Sequence, residues 1–179
     1  MRAGVIAALA MMLCGPAPAP VSAQTAGTDA LATRERDAVH LTDALRANDP
    51  KLTDTFDGAA DSLRAGHELV ILFDGRSVTA LRMNPKTEKK TLLDELGLRP
   101  EEQSAWAQRL GLSAARAPRN HFELMQRLAG AGAKVFVNRN AVKLYGLSDE
   151  EIHPIATPIS ARQMGKLLDE TGLCYTYGH

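Results

Sequence analysis

The feature that most constrains this chain is the alternation of short β-type runs with longer stretches of helical pattern. The β-type runs predict five strands, at residues 38–41, 68–73, 134–137, 155–157 and 173–177. Apolar residues at helical spacing fill the connections, and Gly66 and Gly172 follow two of these stretches as stop signals. Such an alternation is typical of a parallel sheet covered by helices. The sequence therefore predicts the α/β class: three layers, α/β/α, around a mainly parallel five-stranded sheet.

The connection between the second and third predicted strands carries a long insertion, residues 85–118. Leu92 and Leu96 indicate one short helix there, and a second helix begins after Pro100. The second helix contains Trp106, the single tryptophan of the chain. Because a tryptophan in a helical stripe usually packs inside a protein, we expect Trp106 in the core.

The N-terminus has the three parts of a secretory signal peptide. Arg2 supplies the positive charge, Val5 to Leu13 form the apolar stretch, and Val21 to Ala23 form a small-residue cleavage site. The apolar stretch is shorter than the roughly 20 residues of a spanning helix, so we expect export to the periplasm without stable membrane insertion. The predicted organisation is a signal peptide at 1–23, a flexible polar leader at 24–34 and one folded domain at 35–179.

Composition and motifs disfavour several functional classes. Lysine plus arginine equals aspartate plus glutamate, at 21 each, so no basic excess indicates a nucleic-acid partner. The five histidines lack the close spacing of a metal site, and no G-x-S-x-G, G-x-G-x-x-G or Walker sequence occurs. We therefore expect no metal, no cofactor and no nucleic acid. A hydrolase, a dinucleotide enzyme and an NTPase are disfavoured.

Removal of the signal peptide leaves Cys174 as the only thiol, because Cys14 lies within the removed segment. A single cysteine in an oxidising compartment is buried and inert, paired with another chain, or kept for chemistry. The apolar run Leu173-Cys174-Tyr175 favours a buried, unreactive thiol, since free cysteine is among the most often buried residue types. The alternative, a reactive Cys174, predicts an exposed thiol that alkylating reagents reach.

Ligands of an open α/β sheet usually bind just beyond the carboxyl ends of its strands. The candidate ligand-binding residues there are Asp74, Arg76, Asn138, Arg139 and Asn140. The asparagines and Asp74 also have structural explanations, because they are common in turns and helix caps. Neither turns nor caps call for an arginine, so Arg76 and Arg139 are the stronger candidates.

Three stretches of the chain together resemble one known family. The first, residues 59–78, is a helix that passes through Gly-His into a buried strand and the turn after it. The second, 132–147, is a strand followed by an amphipathic helix, and the third, 160–177, is a helix that enters a strand. In order and spacing they resemble the DsrE/DsrF-like (YchN-like) family over about residues 35–179. The resemblance implies a DsrE-like fold and closed homo-oligomers.

The resemblance to sulfur-relay members of that family implies a cysteine that carries a persulfide, eight residues before a glycine. Counted back from Gly146, the position of that cysteine is Asn138 in this chain. An amide cannot form a persulfide, so two hypotheses remain. The preferred one is a non-catalytic periplasmic module, linked to sulfur or redox metabolism, that serves assembly or binds a small polar or anionic ligand. The other is a thiol-based sulfur carrier or redox protein, sulfurtransferase-like, with Cys174 as its catalytic residue.

Overall fold

The computed structural model describes residues 35–87 and 89–178, so the predicted signal peptide and leader lie outside the described residues. Its strands are β1 (Arg36–Leu41), β2 (Glu68–Phe73), β3 (Lys134–Asn138), β4 (Thr157–Ile159) and β5 (Leu173–Tyr177). Its α-helices are α1 (Pro50–Ala65), α2 (Leu92–Glu95), α3 (Pro100–Arg109), α4 (His121–Gly130), α5 (Arg139–Leu144) and α6 (Ala161–Asp169). Short 3-10 helices lie at Gly75–Leu81, Ala114–Arg116 and Asp149–Glu151. Within these described residues, no helix is long and apolar enough to span a bilayer.

All five strands run parallel, in the order β4-β3-β2-β1-β5. β2 lies in the middle and has five buried residues out of six, which explains why its sequence does not alternate between apolar and polar residues. β1 is held between β2 and β5, so the first and last strands are neighbours. The predicted α/β class and parallel five-stranded sheet are confirmed.

The two faces of the sheet are covered unequally. One face packs against helices α1 to α5 in the main core, where Phe56, Trp106 and Met125 are at most 1 % exposed. Trp106 is therefore a core residue, as predicted. On the other face, Ala38 belongs to a smaller cluster with Met164 of α6. The fold has its three layers, but the layer formed by α6 is thin.

The predicted strand boundaries agree closely for β2 and β5 and are wrong for β4. The sequence predicts a strand at 155–157, whereas β4 is Thr157–Ile159. Ile155 and Ala156 belong to a turn, because their N–H groups donate to the ring Nδ1 and the carbonyl of His153 at 3.1 Å each. The turn uses those backbone donors, so the strand begins only after it.

The last strand is fixed to the beginning of α1. Tyr177 is fully buried, and its hydroxyl donates a 2.7 Å hydrogen bond to Oδ2 of Asp49, the N-cap residue of α1. Burial raises the pKa of Tyr177 to about 12, and the hydrogen bond to Asp49 contributes to that shift. Lys51 of α1 also donates to the Gly178 carbonyl. These contacts join the start of α1 to the end of β5.

Gly58 lies in the middle of α1, where glycine is normally unfavourable. Tyr175 of β5 explains its presence, because a Cβ atom on residue 58 would overlap the Tyr175 ring. The absence of a side chain at this position allows α1 to approach β5 closely.

We expect Gly58→Ala to destabilise the protein, although alanine inside a helix normally gains about 1 kcal/mol over glycine. The added methyl group has to displace the Tyr175 ring. Urea denaturation measures the free energy of unfolding. In a Tyr175→Ala background the same substitution should stabilise, and stabilisation by Gly58→Ala alone would contradict the packing described.

Candidate functional site

The carboxyl ends of the strands bring polar side chains into one row on the thinly covered face. Asn138 Nδ2 donates a 2.8 Å hydrogen bond to Oδ1 of Asp74, and Nε2 of His40 lies 3.6 Å from Oδ2 of Asp74. Thr176 pairs with His40 across the β1–β5 ladder. We call Thr176, His40, Asp74 and Asn138 the carboxyl-end row. The row crosses β5, β1, β2 and β3 and is the candidate functional site.

Asp74 and Asn138 both cap helices in addition to binding each other. Oδ1 of Asp74 accepts from the Gly75 N–H at 2.7 Å at the start of the 3-10 helix Gly75–Leu81. Oδ1 of Asn138 accepts from the Asn140 N–H at 2.9 Å at the start of α5. The structural explanations considered from the sequence therefore apply to both residues. Their hydrogen bond fixes the loops after β2 and β3 relative to each other.

His40 belongs to this row, and the sequence analysis did not select it. The atom Nε2 is buried and has no hydrogen-bond partner among the described residues, because 3.6 Å to Asp74 is too long for one. A signal for it exists in the sequence. His40 follows Ala38 at a spacing of two, so both side chains lie on the same face of β1, and His40 is the one nearer the carboxyl end.

The other predicted ligand residues do not belong to the carboxyl-end row. Arg139 is exposed, and its Nε binds Oδ2 of Asp149 at 2.9 Å. Asp149 lines a separate cleft of about 540 Å³ that also includes His153. Arg76 is exposed and is attached to the loop after β1 by its backbone N–H, which donates to Thr42 O at 3.0 Å. Asn140 is exposed as well. Among the five candidates, only Asp74 and Asn138 have side chains that hydrogen-bond to each other.

Cys174 is exposed, so the expectation of a buried thiol is wrong. The apolar run around it forms β5, which lies at the edge of the sheet. Cys174 pairs with Ala38 and points to the face covered by α6. At an edge, and under a thin layer, an apolar sequence is not enough to bury a side chain. The Sγ atom lies 3.8 Å from Oγ1 of Thr176, which places the thiol beside the carboxyl-end row.

A second polar cluster lies at the opposite, amino end of the sheet. His67 Nδ1 is 2.8 Å from Oδ2 of the buried Asp37, and Nε2 is 3.8 Å from Glu35. The hydrogen bond to Asp37 raises the pKa of His67. Arg36 binds Glu68 at 2.9 Å across the β1–β2 ladder. These oppositely charged groups pair with one another and stabilise the amino ends of β1 and β2.

Comparison with solved structures finds a distant similarity to the crystal structure of the ychN protein from E. coli. The two chains are 13 % identical, with a TM-score of 0.43, over 79 % of this chain and 99 % of that chain. No protein-family model matches the sequence. No curated protein matches it. The α/β class rests on the sheet and helices described above, and membership of the DsrE/DsrF-like family stays a prediction.

We expect Asn138→Ala to lower the free energy of unfolding by about 1–3 kcal/mol, since it removes a helix cap and leaves Asp74 short of a donor. Asn140→Ala is the matched control, two residues away and exposed, and should change stability by less than about 0.5 kcal/mol. Urea denaturation of both variants measures the difference. Equal effects of the two substitutions would show that the Asp74–Asn138 contact contributes nothing to stability.

Proposed function

We propose that this protein is an exported, DsrE-like thiol carrier that acts through Cys174. The supporting observation is the exposure of Cys174 on the edge strand β5. The non-catalytic hypothesis predicts a buried, unreactive thiol. An exposed thiol therefore makes the carrier the better supported of the two hypotheses.

The surroundings of Cys174 suit a nucleophile that a second molecule must reach. The hydroxyl of Thr176, 3.8 Å from Sγ, is a donor that can turn towards a thiolate. The neighbouring residue on β1 is Ala38, whose methyl group is too small to cover the sulfur. The thiol is thus open to solvent above the sheet and supported by a hydroxyl on its own strand.

Sulfur transfer at this position requires no cofactor. The Cys174 thiolate attacks the outer sulfur of a donor persulfide, and a new S–S bond forms at Cys174. The S–S bond of the donor breaks, and the donor leaves as a thiolate. One sulfur atom moves between two thiols without net oxidation or reduction.

The proposal places the reactive sulfur on a different strand from the one that the family resemblance implies. The residue at the implied position, Asn138, caps α5 and binds Asp74. β3 and β5 are separated by β2 and β1. At about 4.8 Å per strand, the thiol on β5 lies roughly 14 Å from β3. The chemistry is therefore proposed at the edge of the sheet rather than at the end of β3.

We expect iodoacetamide to add once to Cys174 in the native protein, without denaturant, because the thiol is exposed. The protein is recovered from the periplasm of an expressing bacterium and measured by intact mass, which also shows whether the chain begins at Gln24. Cys174→Ser should take no adduct. Labelling that occurs only in urea would mean a buried thiol and would refute the proposal.

The carrier activity itself is also measured by intact mass. After incubation with inorganic polysulfide, the native protein should gain the mass of one sulfur atom, and dithiothreitol should remove it. Cys174→Ser should gain nothing. A thiol that takes iodoacetamide but no sulfur would be exposed without being a carrier.

A small anionic or polar ligand at the carboxyl end is the second candidate function. Two groups favour it, the buried Nε2 of His40 and the exposed Arg76. The Arg76 guanidinium has no hydrogen bond or ion pair within residues 35–87 and 89–178, so it is available to an anion. Arg139 differs, because its guanidinium already forms a salt bridge with Asp149.

We expect inorganic phosphate to shift the amide NMR signals of residues 74–77 saturably, because the unpaired Arg76 attracts an anion. Arg76→Ala should abolish the shifts. Arg139→Ala, the matched control, should leave them unchanged. Shifts that fail to saturate, or that both substitutions reduce equally, would exclude a phosphate-type anion at this end of the sheet.

A further inference from the structure

The two edges of the sheet are protected to different degrees. β4 forms one edge with only three residues, and its central residue is Pro158, which has no N–H to offer another strand. β5 forms the other edge with five residues, none of them proline or charged. Soluble proteins usually protect an edge with proline, charge or a very short strand. β4 has two of these features, and β5 has none.

The outer side of β5 presents unpaired backbone groups. The Tyr177 carbonyl accepts from the Thr42 N–H at 2.8 Å, so Tyr177 directs its backbone groups towards β1. Backbone directions alternate along a strand, and Cys174 and Thr176 therefore direct theirs outward. No segment among the described residues pairs with this side of β5. The outward groups amount to two N–H donors and two carbonyl acceptors.

We propose that two copies of this chain pair antiparallel through β5, forming one continuous sheet of ten strands. In the pairing with the most hydrogen bonds, Cys174 of each copy lies opposite Thr176 of the other, and the two Tyr175 residues face each other. All outward donors and acceptors of both strands are then used. This inference is independent of the thiol chemistry and concerns the surface on which the thiol lies.

A second copy of the chain fits this edge because β5 is complementary to itself. With a two-fold axis through Tyr175, each outward donor of one copy lies opposite an outward acceptor of the other. Identical charged strands would repel each other in such a pairing, but Leu173–Tyr177 carries no charge. Leu173, which is 50 % exposed, lies on this strand and would gain cover from the second copy.

The pairing also keeps the two thiols apart. In this register the Cys174 residues lie diagonally, with Cα atoms about 7–8 Å apart. A disulfide normally needs Cα atoms within about 6.8 Å. The dimer is therefore non-covalent, and both thiols stay free on the same face of the joined sheet.

The test measures the mass of the native protein by sedimentation over a concentration series, with and without dithiothreitol. We expect a dimer in both conditions, and Cys174→Ser should remain dimeric. Thr176→Lys places a charge on the edge and should weaken dimerisation by about tenfold or more, which corresponds to about 1.4 kcal/mol. Thr157→Lys, on the exposed end of β4, is the matched control and should dimerise like the unchanged protein.

Hydrogen exchange provides a second measurement, which also shows whether the variant is folded. The amides of Cys174 and Thr176 should exchange slowly in the dimer and rapidly in Thr176→Lys, while the amide of Tyr175, which faces β1, stays protected in both. Protection of Tyr175 shows that the variant is folded. A monomeric unchanged protein, a dimer lost on reduction, or a dimer unaffected by Thr176→Lys would each overturn the proposal.

Discussion

The hydrogen-bonded ladder between β1 and β5 is the interaction on which the rest of this structure depends. It gives β1 a partner on its second side, so that β1 becomes an interior strand. It positions Tyr175 against Gly58 and the Tyr177 hydroxyl against Asp49, which fixes α1 over the main core. It also sets the face on which Cys174 lies. The β1–β5 ladder therefore determines both the position of α1 and the position of Cys174.

The parts of the fold that depend on local sequence could be predicted. β2 was recognisable because the short apolar run at residues 69–73, before Asp74, is typical of a strand buried on both faces. The end of α1 was recognisable because glycine is the residue that most readily takes the left-handed conformation that closes a helix. Gly66 adopts that conformation, with φ 85°. Ser160 caps α6 through Gln163, as their spacing predicts. In each case the signal and its cause lie within a few residues.

The parts that depend on tertiary position could not be predicted. Leu173-Cys174-Tyr175 is apolar enough for a core, but its exposure depends on which strand becomes the edge and on how little of that face α6 covers. No local pattern in the sequence specifies the strand order. His40 was missed for a related reason, because its neighbour Asp74 is brought to it only by the β1–β2 register. Polar residues do meet at the carboxyl ends of the strands, but their pairings could not be predicted from the sequence.

The long separation between the paired strands has a consequence for how the chain folds. Thr42 and Tyr177, joined across the ladder, are 135 residues apart in sequence. Contacts at such a separation form late, because the entropy of closing the intervening loop is lost before the contact can offset it. Until β5 docks, the outer side of β1 is an unpaired strand edge. Because unpaired strand edges promote aggregation, we expect the chain to be most prone to aggregate before β5 has docked.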